Sequence, residues 1–281
     1  MLIRLLAALA LLSSPVLLQP PVVAAAEITA PAFPVGEMMR ATALDQVFTQ
    51  FGATIADVAR NEDITANRTF LKHWDATVRT MFDADAMNRR LALTLEGKFS
   101  DGEQSVLGAF FRSAFGQRVT GLERDAALLP PADQLGAITL GEAIDAAAGT
   151  VRSKQLDALL TLVSAEISAD MVGQSLRAML LGMSVSQQHG DIDVPWSEID
   201  AQVDAMMPGL TVSVQHTQRH LMAYAYRNLT DAELDRYVAF LGTASAQKFY
   251  ALASQAIGRI VTDTMSAFGE VFASRMASVD I

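Results

Sequence analysis

Few residue sets in this chain have types and spacing that could do chemistry. His216 and His220 stand four residues apart, which on a helix places two imidazoles on one face, as a metal site requires. The chain contains no Cys to complete such a site, and no Glu beside either His supplies the zinc-protease pattern. The pair reads as solvated or interhelical. Twelve methionines remain once Met1 is set aside from the 13, and a cluster of thioethers could bind copper. Met179 and Met183 share an apolar stripe with Leu176 and Leu180, which is the pattern of a core, and Met206-Met207 stand at an expected corner. Asp101 with Glu103, and Asp231 with Glu233, could act as paired carboxylates. Ser100-x-x-Glu103 and Thr230-x-x-Glu233 are also capping boxes, a role that explains both residue type and spacing. Gln117-Arg118 and Gln247-Lys248 recur together with Arg89 and Arg219. This polar set could line a groove for an acidic ligand or tie helices together. There is no Gly-rich phosphate loop, no nucleophile elbow and no Ser/His/Asp order. No residue is assigned as catalytic, cofactor-binding or metal-binding, and no cofactor is implied.

The elements that would position these groups are helices. Leu44, Val47, Phe48, Phe51, Ile55 and Val58 recur at steps of three and four, as do Leu156, Leu159, Leu160, Val163 and Ile167. From Phe249 through Leu252, Ala256, Ile260, Val261, Met265 and Phe268 to Phe272 one apolar face continues, which predicts a helix near thirty residues. No sustained alternation marks a strand. Pro130-Pro131 is expected to end a helix and open a polar stretch to Gly136, read as a hinge between halves. His189-Gly190-Asp191 ends another helix, Pro195 opens the next, and Pro208-Gly209 marks a further corner. The fold class is all-α, a helical bundle.

An internal correspondence organises the bundle. At a spacing of 130 residues, Ser100-Asp101-Gly102-Glu103 lies over Thr230-Asp231-Ala232-Glu233, and Ala109-Phe110-Phe111 over Ala239-Phe240-Leu241. Residues 88–119 share eight identities in 32 positions with residues 218–249, where ordinary composition gives about two. The bundle is therefore expected to hold two diverged copies of one helical unit, the first over residues 27–135 and the second, with the long last helix, over residues 136–281.

Residues 1–26 read as a secretory signal peptide. Arg4 supplies the positive start, Leu5 to Leu12 an apolar run, and Ala24-Ala25-Ala26 an A-x-A site before Glu27. Ser13-Ser14-Pro15 and Gln19-Pro20-Pro21 break the run well short of the ~20 residues a membrane span needs. Cleavage after Ala26 places the mature chain in the periplasm with no transmembrane anchor. Without residues 1–26 and their single charge at Arg4, 20 basic residues face 31 acidic ones, a net charge of −11. That balance argues against nucleic acid as a partner. The lack of Cys rules out disulfides, thiolate metal sites and Cys nucleophiles together.

Phe240-Leu241-Gly242-Thr243-Ala244-Ser245-Ala246-Gln247-Lys248 resembles the hallmark of a bacterial envelope family catalogued as domain of unknown function 2059. That hallmark is an acid-rich helix start, then Phe-Tyr-x-Ser-Pro-x-Gly-Gln-Lys, then a long helix. Phe110-Phe111-Arg112-Ser113-Ala114-Phe115-Gly116-Gln117-Arg118 is similar and keeps the Ser and the Gly. Both segments have Ala where the family has Pro, so the break between helices is expected to be softer. The resemblance implies an exported helical domain and brings no catalytic residues with it. The expected function is a non-enzymatic envelope protein that binds a protein, peptide or lipid partner. The alternative is an enzyme whose acid-base site forms only in the fold. The first reading predicts a mature chain that begins at Glu27 and is released by osmotic shock. N-terminal sequencing that finds Met1 intact in the membrane fraction overturns it.

Overall fold

The computed structural model describes residues 32–61, 68–162, 172–177 and 196–278. The signal segment, Val163, Ile167, Met179, Leu180, Met183, the His189-Gly190-Asp191 break and Pro195 lie outside them. The described elements are α1 (Val35–Ala41), a 3-10 turn (Leu44–Gln46), α2 (Val47–Asn61), α3 (Arg68–Met81), α4 (Ala84–Leu95), α5 (Asp101–Phe111) and α6 (Ala114–Ala127). They continue with α7 (Pro131–Ala146), α8 (Thr150–Leu162), α9 (Trp196–Ala225), α10 (Asp231–Leu241) and α11 (Ala244–Ala277). Residues 172–177 are also helical. The fold is all-α, with no strand among the described residues.

Two expectations about breakers are corrected. Pro130–Gly136 is not a polar hinge, because Pro131 is the first residue of α7. Proline suits that position: its missing N–H is one that a first helical turn leaves unbonded anyway, and its φ is already helical. Pro208-Gly209 is not a corner, because α9 runs through it from Trp196 to Ala225. Pro208 and the preceding-turn residue Asp204 are both exposed. The carbonyl that loses its helical partner therefore faces water, which lowers the cost of an interior proline.

The last helix, α11, has 34 residues and spans about 51 Å. Its two halves serve different parts of the core. Phe268 and Phe272 pack edge-on against Trp74, with ring centroids 4.9 and 5.4 Å away. The Trp74 indole N–H donates to the Ile55 carbonyl at 3.0 Å, so this large side chain is buried without an orphaned donor. Nearer the start of α11, Phe249 lies against Phe99 and Phe111. A single buried core, from Phe33 to Phe272, connects these regions.

Within that core, α5 and α10 match in both boundaries, and α6 and α11 match in where they begin. α5 and α10 each have 11 residues, and both begin after a capping box. Ser100 and Thr230 hydroxyls accept from the Glu103 and Glu233 amides, and those carboxylates accept from the Ser100 and Thr230 amides at 2.8 Å. Ser113 and Thr243 cap the following helices and donate back to the Phe110 and Phe240 carbonyls at 2.7 and 2.8 Å. The aromatic rings of Phe110 and Phe240 stack on each other with centroids 3.5 Å apart and planes 5° from parallel. Arg118 pairs with Glu233, and Lys248 pairs with Glu103 at 2.8 Å. Each unit's cation thus holds the other unit's capping acid. A surface in which i meets j and j meets i is the pattern of a two-fold contact.

The helix breaks differ in tightness. A Cβ on Gly116 would sit 2.0 Å from the Phe110 carbonyl oxygen, whereas the position 130 residues later is Ala246 and buried. The first corner is folded closer than the second, and only glycine fits it. Gly141 on α7 is similarly constrained: its Cβ would fall 1.9 Å from the His220 carbonyl oxygen, so α7 and α9 touch backbone to backbone.

Phe110 and Phe240 are 9% and 8% exposed, so truncation removes buried surface and leaves a cavity. Phe110→Ala and Phe240→Ala are each expected to cost ~3–5 kcal/mol in urea unfolding. Ser100→Ala and Thr230→Ala, which remove only a cap, should each cost about 1 kcal/mol. Because the two rings share one contact, the Phe double variant should lose less than the sum of the singles. A neutral Phe110→Ala, or full additivity, would show that the stack does not anchor the fold.

Candidate functional site

The residues singled out in the sequence scatter rather than converge. His216 is exposed and His220 buried, with ring centroids 4.0 Å apart. His220 Nε2 lies 4.0 Å from Asp145 Oδ2, so the pair bridges α9 to α7. Burial first, then the neighbouring His216, pulls the His220 pKa below the usual imidazole range. Among the described residues no three His, Asp or Glu side chains gather as metal ligands. Gln117 and Gln247 each donate to a carbonyl ending the preceding helix, Arg112 O at 3.3 Å and Leu241 O at 2.6 Å. Arg219 ties α9 to α7 and α8 through Asp145 and Asp157, while Arg89 is exposed, so these two arginines play different parts.

A different set converges. Glu123, on the inner side of α6, sits opposite three tyrosines from the second half of the chain: Tyr226 after α9, Tyr237 on α10 and Tyr250 on α11. The Tyr226 and Tyr237 hydroxyls donate to the same carboxyl oxygen, Glu123 Oε1, at 2.5 and 2.6 Å. The second oxygen makes no hydrogen bond among the described residues. Burial pushes the Glu123 pKa up, against the lowering effect of the two phenolic bonds. The tyrosines are held well above the usual phenol range, by burial first and then by the nearby carboxyl. The cluster therefore favours the protonated acid and the un-ionised phenols more than water does.

The cluster borders a small pocket of about 60 Å³. Its lining mixes the apolar Leu44, Val47, Leu128, Leu162, Met222 and Leu241 with the polar Thr42, Gln46, Gln50 and Arg124. The 3-10 turn and the start of α2 supply Leu44, Gln46, Val47 and Gln50. Ala43 stands at this rim with φ 56°, the left-handed region. That conformation costs an alanine roughly 1–2 kcal/mol, and such strain gathers at binding sites. Gln46, Arg124 and Leu128 also border a wider open groove of about 1250 Å³, where Arg112 holds Glu37 through a two-point ion pair, its Nη2 2.6 Å from Glu37 Oε2. In that groove the Arg112 guanidinium holds the Glu37 carboxyl below the usual range.

The polar cluster exists on one side only. At a spacing of 130 residues, Glu123, Tyr237 and Tyr250 correspond to Ala253, Leu107 and Thr120, all buried, and Tyr226 corresponds to the exposed Glu96. Glu123 and its tyrosines went unnoticed in the sequence because they are spread over 128 residues and follow no motif. One signal was present: all four tyrosines of the chain fall between residues 224 and 250. No family model, no curated protein and no solved structure matches the chain.

The raised Glu123 pKa has a definite consequence for stability. The folded protein holds this proton more tightly than the unfolded chain, whose Glu titrates near ~4.3. Stability is therefore lost as pH rises from that value toward the folded pKa. Gln at this position keeps an oxygen for both phenols and never ionises. Glu123→Gln should raise the thermal midpoint relative to the parent, with a gain that grows as pH rises above about 4.3 toward the folded pKa. A constant difference over that range would show that the carboxyl is not perturbed by its surroundings.

Proposed function

We propose that this chain is an exported, non-enzymatic helical envelope protein, built from two diverged copies of one unit, that binds a partner through the Glu123 pocket. The one-sided cluster carries the reading. A partly buried acid held by two phenols and paired with no cation among the described residues carries a desolvation cost. If it served packing alone, the matching Ala253 position shows a cheaper solution in the same chain. Its retention beside a pocket supports a ligand role.

The duplicated-unit reading rests on the shared boundaries, caps and reciprocal ion pairs, and export rests on the signal pattern of residues 1–26. The resemblance to domain of unknown function 2059 supports an exported helical domain. Among the described residues, no helix is long and apolar enough to cross a membrane. The partner class is a protein, peptide or lipid, any of which could insert one group into the pocket while lying along the wider groove. The enzymatic alternative is weaker on chemistry. The pocket lining offers one carboxyl and three phenols held above their usual range, and acid-base turnover needs a base as well as an acid.

Ala127 lines the pocket on the same helix as Glu123, one turn further on. Ala127→Trp should fill it. Native mass spectrometry of the parent, purified from its own envelope under gentle conditions, should reveal bound material that the Trp variant lacks. Equal loading of both, with the variant folded by circular dichroism, would sink the pocket as the binding site.

A further inference from the structure

We infer that the Glu123 pocket takes a primary alkylammonium group, with the ammonium donating to Glu123 Oε2 and the alkyl stem lying along the apolar side chains of the lining. The inference rests on the binding reading above and names its ligand chemistry. Three observations lead to it. First, Glu123 Oε1 is saturated by Tyr226 and Tyr237, which leaves Oε2 without a donor among the described residues. The next acceptors round the pocket are the amide groups of Gln46 and Gln50 and the hydroxyl of Thr42. A primary ammonium carries three donors and no acceptor, and so matches an acceptor-rich end.

Second, no cation pairs with Glu123 among the described residues. The ionisable groups lining the pocket are Glu123 and Arg124 from α6, Tyr226, Tyr237 from α10 and Tyr250 from α11, while the 3-10 turn and α2 contribute none. Arg124 turns its guanidinium to the Arg40 carbonyl, away from its neighbour's carboxyl. An incoming cation would be the counter-charge this acid lacks, in a site where low dielectric strengthens the attraction. An incoming carboxylate would place a second acid beside Glu123, and a neutral alcohol would supply no counter-charge to its ionised form.

Third, Leu44, Val47, Leu128, Leu162, Met222 and Leu241 also line the pocket, and apolar side chains suit a short alkyl stem. The chain's net charge of −10 also favours the approach of cations. The proton balance is simple. Below the folded Glu123 pKa the acid gives up its proton to solvent as the ammonium arrives, so the complex holds a carboxylate facing an ammonium and one proton is released.

The test uses the chain from Glu27 onward and isothermal titration with butylammonium, 1-pentanol and pentanoate, each in two buffers of different ionisation enthalpy. Below the folded Glu123 pKa, butylammonium should bind with release of about one proton and its affinity should rise about tenfold per pH unit. Pentanol and pentanoate should bind at least tenfold more weakly. Glu123→Gln should abolish proton release and weaken butylammonium at least tenfold. The proton readout on the parent needs no variant and so does not depend on that variant folding. Vesicles of phosphatidylethanolamine in phosphatidylglycerol, against phosphatidylglycerol alone, separate the two sources. Selective binding to the former assigns a lipid headgroup, and butylammonium binding without it assigns a free amine, both within the inference. If pentanol or pentanoate matches butylammonium, and Ala127→Trp blocks them, the pocket stands and the ammonium assignment falls. If no probe binds and Ala127→Trp leaves the co-purified material unchanged, both fall.

Discussion

Phe110 and Phe240 stack face to face at 3.5 Å, and the arrangement of the surrounding helices follows from that contact. Each ring sits in the last turn of a capped helix, just before a hydroxyl that closes one helix and opens the next. The caps set the direction of α5 and α10, the rings set their separation, and the hydroxyls set the direction in which α6 and α11 leave. Arg118 and Lys248 then reach across to the opposite capping acids. Such partly exposed pairs add roughly 0–1 kcal/mol each, so they fix register more than they hold the fold. The energy lies in the buried rings and in the aromatic contacts that α11 makes further along, from Phe249 to Phe272.

The helix pairs that meet at the stack are not alike. At a spacing of 130 residues Glu123, Tyr237 and Tyr250 correspond to the buried Ala253, Leu107 and Thr120, and Tyr226 to the exposed Glu96. Around Glu123 the segment from Thr42 to Gln50 joins the pocket lining without filling the space. The left-handed Ala43 lets that segment turn over the cluster. Such a divergence places a polar group inside the protein at a cost in stability, next to a side of the bundle that shows the apolar solution was within reach.

The capping residues, the apolar stripes and the Phe-x-x-Ser or Phe-x-x-Thr breaks were all legible in the amino-acid order, because each is a local rule acting over three or four residues. From these the all-α class, both capping boxes and the long last helix followed directly. The proline positions were misread for the same reason that the rest succeeded. Pro131 and Pro208 are helix breakers by intrinsic preference, yet a first turn needs no N–H, and an exposed carbonyl beside Pro208 has water to bond.

What tertiary structure alone decided is who meets whom across distance. Arg89 and Arg219 align in sequence, but only Arg219 finds Asp145 and Asp157, since α7 and α8 cover one side and not the other. Glu123 is one acid among 31 until the fold brings Tyr226 and Tyr237 onto a single one of its oxygens. Hydrophobic period and cap chemistry are properties of neighbouring residues, and so they survive in a linear string. A buried carboxyl's environment is a property of four helices converging, and its pKa, its pocket and its unmatched oxygen come into being only when they do.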